Sequence, residues 1–380
     1  MTISDAYPDV VKTFLEIITI GNPSKKEDEL ILWLVDKFAE LGVTSIVQDD
    51  LGNVVARIAS NIENNNLSIM FVAHLDSVSP CENIEPEIVK LENDSIIQPK
   101  GDTILSADDK AGIAAIIEAI KLVKKDDFKY PDIELVFTVQ EEIGLRGAKS
   151  LDYSQFESKI AYSVDAEAPV GTIITQGPSQ KQFKLTFKGK ASHAGMAPEK
   201  GLNSIVMTAE FLNNITAGRI DEATTSNIGL IEGGVANNVV PEKTILKGEV
   251  RSLYESKLEG IIGSYRMAAD KVVEQYPGAS YEFEEIFIYH SFFIDTSSPV
   301  VQLALKACKD INLQSQVRSI GSGSDANVFN NNQLDTIILG AGFKNSHSHQ
   351  EMITFSQLQL LCDLIVSIIK NASKINAKNT

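Results

Sequence analysis

Residues 67–76 read LSIMFVAHLD. The run LSIMFVA lacks the alternation of a half-exposed strand, so it is predicted to be buried on both faces, as in a parallel sheet covered by helices. It ends on His74 and Asp76, at the carboxyl end of the strand, where open α/β sheets gather their ligand sites. Two more apolar runs end in the same way: IELVFTV (133–139) leads to Glu141 and Glu142, and IAYSV (160–164) leads to Asp165. An Ala- and Ile-rich helix is predicted from Lys110 to Val123 between the first two strands. Strands separated by helices argue for an α/β layered sheet.

Upstream, Ser24 and Glu27 have capping-box spacing ahead of Leu30, Leu34, Phe38 and Leu41, which recur on one helical face until Gly42. TSIVQ (44–48) and NVVARI (53–58) flank a turn at Asp50–Asn53 and read as a hairpin. Near Gly177 the character changes. QFKLTFKGK alternates, a helix is predicted over 202–212, NIGLIEGG and TILKGEVR alternate again, a helix follows Ser256, and SYEFEEIFI closes the block. This β-α-β-β-α-β order is that of a ferredoxin-like α+β unit, predicted to be an inserted domain at 178–289. The first domain is then discontinuous, 1–177 and 290–380, and resumes with a helix over 300–309, the strand TIILG (336–340) and a helix over 356–370. NASKINAKNT (371–380) reads as a polar, frayed tail.

The chain has 380 residues, of which 43% are hydrophobic and 22% charged, so it has the composition of a folded globular protein of about two domains. Its net charge of −17 repels phosphate backbones and anionic lipid, which argues against nucleic acid and membrane partners. The three cysteines, Cys81, Cys308 and Cys362, show no CxxC spacing, and MTISDAYPDV lacks the basic and apolar segments of a secretory signal. A cytoplasmic protein is the expectation.

Taken singly, the acidic and imidazole residues have ordinary explanations. His74 beside Asp76 reads equally as a core histidine with a capping aspartate, and Asp108 and Asp109 in SADDKAG (106–112) as the charge of a helix start. Adjacent carboxylates leaving a core strand, as at Glu141 and Glu142, are harder to read as a solvated face. With Asp165 after its strand and His347 in NSHSHQEM after TIILG, such groups leave at least four predicted strands on what would be a single edge. Carboxylate and imidazole donors without cysteine suit Zn²⁺, Mn²⁺ or Co²⁺, and they are numerous enough for two ions sharing one carboxylate. Two such ions can bind and acidify one water between them, leaving a further carboxylate as general base.

In order and spacing, HLD, SADDKAG, TVQEEIGLRG, SVDAE and HSHQE resemble the M20 family of metallopeptidases, and within it the peptidase T-like tripeptide aminopeptidases. The resemblance covers nearly the whole chain, including SHAGMAPEKG (192–201) and GGVANNVVP (233–241). It implies a zinc-exopeptidase-type α/β/α catalytic domain with an inserted lid through which two copies pair. It also implies that His74 and Asp165 hold one zinc, Glu142 and His347 the other, and that Asp108 bridges them. Asp76 would orient His74. Glu141 would take a proton from the bridging water and deliver it to the leaving amine. His347 is preferred to His349 because members of the family place the ligand four residues before a glutamate, here Glu351. By the same resemblance His193 reaches the substrate carbonyl oxygen or oxyanion, often from the partner subunit, and Asn238 clamps the substrate.

One departure concerns the substrate carboxylate. Many relatives carry an arginine ahead of a Gly-Thr-Asp loop, whereas GSGSDANVF (321–329) places Gly321 there, leaving Arg251 and Arg318 as candidate substitutes. The expected activity is removal of the N-terminal residue from short peptides. Related readings are an N-acyl amino acid hydrolase, a carboxypeptidase, or a catalytically silent binding protein. Aspartate rather than glutamate at position 165 favours the aminopeptidase within the resemblance, and the full set of metal-site residues argues against the silent protein.

Overall fold

The computed structural model describes residues 6–375 apart from Thr44, Asn64, Asn66, Asp126 and Asp127. The chain divides into two units, one comprising Met1–Gln176, Phe293–Ser319 and Ser324–Thr380, the other Gly177–Phe292 and Ile320–Gly323. In the first unit the strands follow the spatial order Ser45–Gln48, Val54–Ile58, Asp132–Thr138, Ser68–His74, Ile160–Ala166, Asp335–Gly340 and Thr172–Gly177. The four from Asp132–Thr138 to Asp335–Gly340 are mutually parallel, so their carboxyl ends share one edge.

Alternation along these strands sends side chains to both faces, and both faces are covered. Tyr162 lies opposite Phe71, with ring centroids 5.6 Å apart, and donates to the Val300 carbonyl of helix Pro299–Asp310. Phe137 meets Phe38 of helix Asp28–Glu40 on the same side. One residue along, Thr138 donates to Asp325, and Ser163 meets Ser324, at the start of helix Asp325–Asn331 on the other face. Ser68–His74 is buried at every position, as the absence of alternation predicts.

Several local expectations need correction. Ser24 and Glu27 do not form a capping box: the helix begins at Asp28, Ser24 donates to Asp76, and buried Glu27 accepts from the Gln140 amide. Tertiary partners outcompete the local cap because both side chains face the carboxyl edge of the sheet. The helix predicted from Lys110 lies within Ala107–Lys125, where the backbone is non-helical at Asp108 and Asp109 and regular helix begins at Lys110, as expected. The strands Pro86–Lys90 and Ser95–Pro99, which pair with each other and with Ile353–Thr354, have no counterpart in the sequence reading; their half-exposed, short pattern gives little signal. Asn371 and Ala372, assigned to a frayed tail, belong to helix Phe355–Ala372, and residues 376–380 lie outside the described residues.

In the second unit the strands run Gly218–Asp221, Thr224–Gly233, Lys243–Ser252, Ser179–Lys188 and Ser280–Tyr289, all antiparallel. Numbered along the chain, the four long strands lie in the order 2-3-1-4, which is the ferredoxin-like arrangement the β-α-β-β-α-β pattern predicts. Phe183, Leu185 and Phe187 pack on Phe211 of Ser204–Asn213 and on Ile262, Tyr265 and Ala269 of Glu255–Glu274. Lys184 and Lys188, which alternate with Phe183, Leu185 and Phe187, pair with Glu284 and Glu282 on the neighbouring strand. Among the described residues no helix is long and apolar enough to cross a membrane.

Gly147 lies where the chain turns back after Glu141 and Glu142. Its amide donates to the Val139 carbonyl and its own carbonyl accepts from buried Asn53. A Cβ at this position would collide with the Val139 carbonyl oxygen and with Asn53 Oδ1. Gly147→Ala should therefore cost about 1–3 kcal/mol, the usual cost of overpacking, read as a lower denaturant midpoint with an unchanged slope.

Candidate active site

The parallel strands deliver His74 and Asp165 to the same edge, and the loops after the neighbouring strands deliver Glu141, Glu142 and His347. His74 Nε2 lies 3.0 Å from Asp108 Oδ1 and 3.5 Å from Asp165 Oδ1. His347 Nε2 lies 2.9 Å from Glu142 Oε1 and 3.4 Å from Asp108 Oδ2. The two oxygens of Asp108 thus face two different imidazole–carboxylate pairs. Donor atoms of His74, Asp108 and Asp165 lie within 4.8 Å of one another, as do those of Asp108, Glu142 and His347, and those of His74, Glu141 and Glu142. Nitrogen and oxygen donors without sulfur fit Zn²⁺, Co²⁺ or Mn²⁺, and two groups sharing one carboxylate fit two ions.

The backbone of these loops is held by carboxylates. Asp76 accepts from the amides of Glu141 (2.8 Å) and Glu142 (3.2 Å) and from the Ser24 hydroxyl (2.6 Å). Its backbone carbonyl, rather than its side chain, is the nearer partner of His74 Nδ1, at 2.9 Å against 3.6 Å for the carboxylate. Asp109 accepts from the His74 amide, and Glu27 from the Gln140 amide. Glu167 accepts from the Asn345 and Ser346 amides that precede His347. Glu351 accepts from three amides around Asp108. The sequence reading gives Glu27 only a capping role and Asp109 only that of charge at a helix start, assigns nothing to Glu167, and uses Glu351 only as a spacing mark. A carboxylate that binds backbone N–H from a distant segment has no local pattern, so no signal in the sequence marks these residues.

Electrostatically the cluster is a balance of burial against imidazole. Burial opposes charge on His74, but hydrogen bonds to Asp108, Asp165 and Asp76 hold its pKa well above the usual histidine range. Hydrogen bonds to Asp108 and Glu142 raise His347 to about 10. Burial would also raise Asp108, yet His347 and His74 pull it below the ordinary carboxylate value. Glu141, Glu142 and Asp165 are raised, burial being the largest cause in each.

The other sequence-derived candidates are not members of these donor groups. His349 Nδ1 turns to the Thr103 carbonyl and is outside the donor groups. His193 and Asn238 come together in the second unit, where Ser192–His193 pairs with Val239–Val240 and the Ala194 amide donates to the Asn238 carbonyl. Both are exposed. Arg251 is paired with Glu249, at 2.9 Å, and Arg318 is exposed on the strand Gln316–Ser319. A Cβ at Gly321 would meet nothing within 4 Å, so no packing constraint demands glycine there. His290 pairs with Glu255.

A sequence profile of peptidase family M20/M25/M40 matches residues 70–371. The chain is 34% identical to uncharacterized protein YqjE of Bacillus subtilis (strain 168), over 96% of this chain and 98% of that one. It is similar to the crystal structure of aminopeptidase PepT from Bacillus cereus ATCC 10987, with a TM-score of 0.88 and 33% identity, over 96% of this chain and 98% of that one. It is also similar to the crystal structure of a tripeptidase from Staphylococcus aureus subsp. aureus mu50, with a TM-score of 0.91 and 30% identity, over 97% and 98%.

Protein freed of divalent ions by a chelator should show the imidazole balance directly. His347 has a folded-state pKa raised from 6.5 to about 10. Its stabilising contribution is therefore complete below pH 6.5 and is lost as pH rises through about 10. Thermal melts of wild type and His347→Gln should differ most below pH 6.5, with wild type the more stable, and the gap should close toward pH 10. A gap that widened with pH would contradict this balance.

Proposed function

The chain belongs to peptidase family M20/M25/M40, and on that premise we propose that it is a two-metal aminopeptidase that releases the N-terminal residue of short peptides, tripeptides above all. The observation that carries this reading is the pair of donor groups sharing Asp108, with Glu141 beside them. The names of the similar crystal structures, an aminopeptidase and a tripeptidase, support the substrate class.

His74 and Asp165 would hold one ion, Glu142 and His347 the other, and Asp108 would be shared between them. Bound divalent ions supply Lewis acidity that polarises a peptide carbonyl and lowers the pKa of water. Glu141 takes the proton from the water that attacks the carbonyl carbon. As the C–N bond breaks, the same carboxyl delivers that proton to the leaving nitrogen, so one group serves as base and then acid. Asp76 keeps Glu141 in place through the amide it binds. His193 donates to the substrate carbonyl oxygen as it becomes an oxyanion, and Asn238 binds the peptide.

The second unit is proposed to pair two copies of the chain. Supporting this, Thr224–Gly233 meets its outer neighbour only at Thr224–Ser226, and Leu230, Ile231 and Val235 are exposed beyond that point. A cytoplasmic setting accords with three free cysteines, all buried.

Loaded wild-type protein should contain two divalent ions per chain. Glu141→Gln should keep both and lose about 10² to 10⁴-fold in turnover, the size of a general-base contribution, whereas Glu142→Gln should bind one ion more weakly. Free tripeptides should be cleaved, and N-acetylated ones should not. Metal analysis of an active sample with one ion or fewer, or cleavage of acylated substrates only, would overturn the reading.

His193→Ala should keep both ions and lose about 10² to 10³-fold in kcat with a smaller change in KM, as for loss of one oxyanion donor. If the histidine acts on the partner's substrate, mixing His193→Ala with Glu141→Gln protein should restore activity. Turnover near wild type in His193→Ala would remove this residue from the reaction.

A further inference from the structure

Glu351 is fully buried, four residues after His347. Its Oε2 accepts from the amides of Leu105 (2.8 Å) and Ser106 (2.9 Å), and its Oε1 from the amide of Asp108 (3.0 Å). These amides belong to a segment that cannot use helical hydrogen bonds: Ser106 has a positive φ of 58°, and Asp108 and Asp109 depart from helical backbone inside Ala107–Lys125. On the other side, Lys344 and Met352 exchange both backbone hydrogen bonds, at 2.9 and 3.0 Å. That exchange closes a loop of which His347 and Glu351 are both members.

We propose that Glu351 is a positioning residue that fixes Asp108 against His347 and so sets the affinity of the site for its ions. This inference rests on the two-ion reading above. Three amides need acceptors, and backbone carbonyls would meet that need without adding charge next to the Asp108 carboxylate. What a carboxylate adds is two coplanar oxygens that bind both sides of one bend, so neither the bend nor Asp108 can rotate independently of the loop carrying His347. The repulsion between Glu351 and Asp108 is the kind that bound cations offset. Without the grip, Asp108 keeps its chemistry and loses its registration to both donor groups.

The role is separable from ordinary support of the fold by comparison with Glu134. This second buried carboxylate also accepts backbone amides, those of Glu157 and Ser158, and pairs with Arg57. It lies four residues before Thr138, the register partner of His74. Full-length wild type, Glu351→Gln and Glu134→Gln would be titrated with chelator-buffered Zn²⁺, with ion number and affinity read directly. The Co²⁺ absorption spectrum of each would report ligand geometry.

Glu351→Gln presents an NH₂ group to at least one amide N–H. It should bind Zn²⁺ about 10- to 100-fold more weakly, the usual effect of losing a group that orients metal ligands, and its Co²⁺ spectrum should change. Glu134→Gln should lose thermal stability and keep wild-type Zn²⁺ affinity. Should Glu351→Gln not fold, Glu351→Asp, which keeps both acceptors at shorter reach, should still show weakened binding. Wild-type affinity in the folded Glu351 variant, an equal loss in Glu134→Gln, or failure of both Glu351 variants to fold would overturn the inference. Fewer than two ions on wild type would instead overturn the functional reading on which it stands.

Discussion

Carboxylates repel one another, and at the carboxyl edge of the first unit's sheet Asp108, Glu141, Glu142 and Asp165 gather around two imidazoles. Two like unit charges 4 Å apart repel by about 4 kcal/mol at an effective dielectric of 20, while a whole domain is stable by roughly 5–15 kcal/mol. A few unopposed pairs would therefore unfold the unit. Opposing charge is a condition of this fold and not only of its chemistry. The imidazoles answer part of the demand by taking protons, and burial answers another part by raising Glu141, Glu142 and Asp165 toward their neutral forms. Divalent cations would answer the demand in place of the imidazole protons, since an imidazole that ligates a metal is neutral.

The same scarcity of positive charge explains how the loops are held. Lysine and arginine are nearly absent from these contacts, and the partial charge of backbone N–H groups takes their place. Asp76 binds the amides of Glu141 and Glu142, Glu351 those of Leu105, Ser106 and Asp108, Glu167 those of Asn345 and Ser346, and Asp109 that of His74. Each grip joins segments far apart in sequence, so the site is a closed arrangement of loops fixed to one another as well as to the strands. Gly147 belongs to the same arrangement, since its missing side chain lets the loop after Glu142 close on Val139 and Asn53.

This division explains what was legible beforehand. The strands could be read because buried parallel strands leave an unmistakable apolar record, and His74, Glu141, Glu142, Asp165 and His347 because acid or imidazole at the end of such a strand is chemically out of place. The ferredoxin-like unit could be read from strict alternation. Glu27 could not: its spacing from Ser24 satisfies a local capping rule, and only the register of the folded chain shows both residues turned to the site. Glu351, Asp109 and Glu167 were illegible for the same reason, since a carboxylate that binds a distant amide has no signature within its own segment. The hairpin of Pro86–Lys90 and Ser95–Pro99 was missed because its half-exposed residues follow neither period cleanly.

Backbone N–H groups also set the chemistry of the histidine in the second unit. His193 Nδ1 accepts from the amides of both Gly195 and Met196, each at 3.2 Å. A ring nitrogen that accepts cannot carry the proton, so the neutral imidazole holds its hydrogen on Nε2. The ring is exposed and needs no carboxylate to select this tautomer. A carboxylate at Nδ1 would favour the opposite arrangement there, with Nδ1 protonated and donating. Two amides in a tight turn instead leave Nε2–H as the ring's one donor, the form that the oxyanion role proposed for it requires. In the first unit carboxylates fix amides, and in the second amides fix an imidazole; both arrangements set a functional group's direction with backbone dipoles and add no cation.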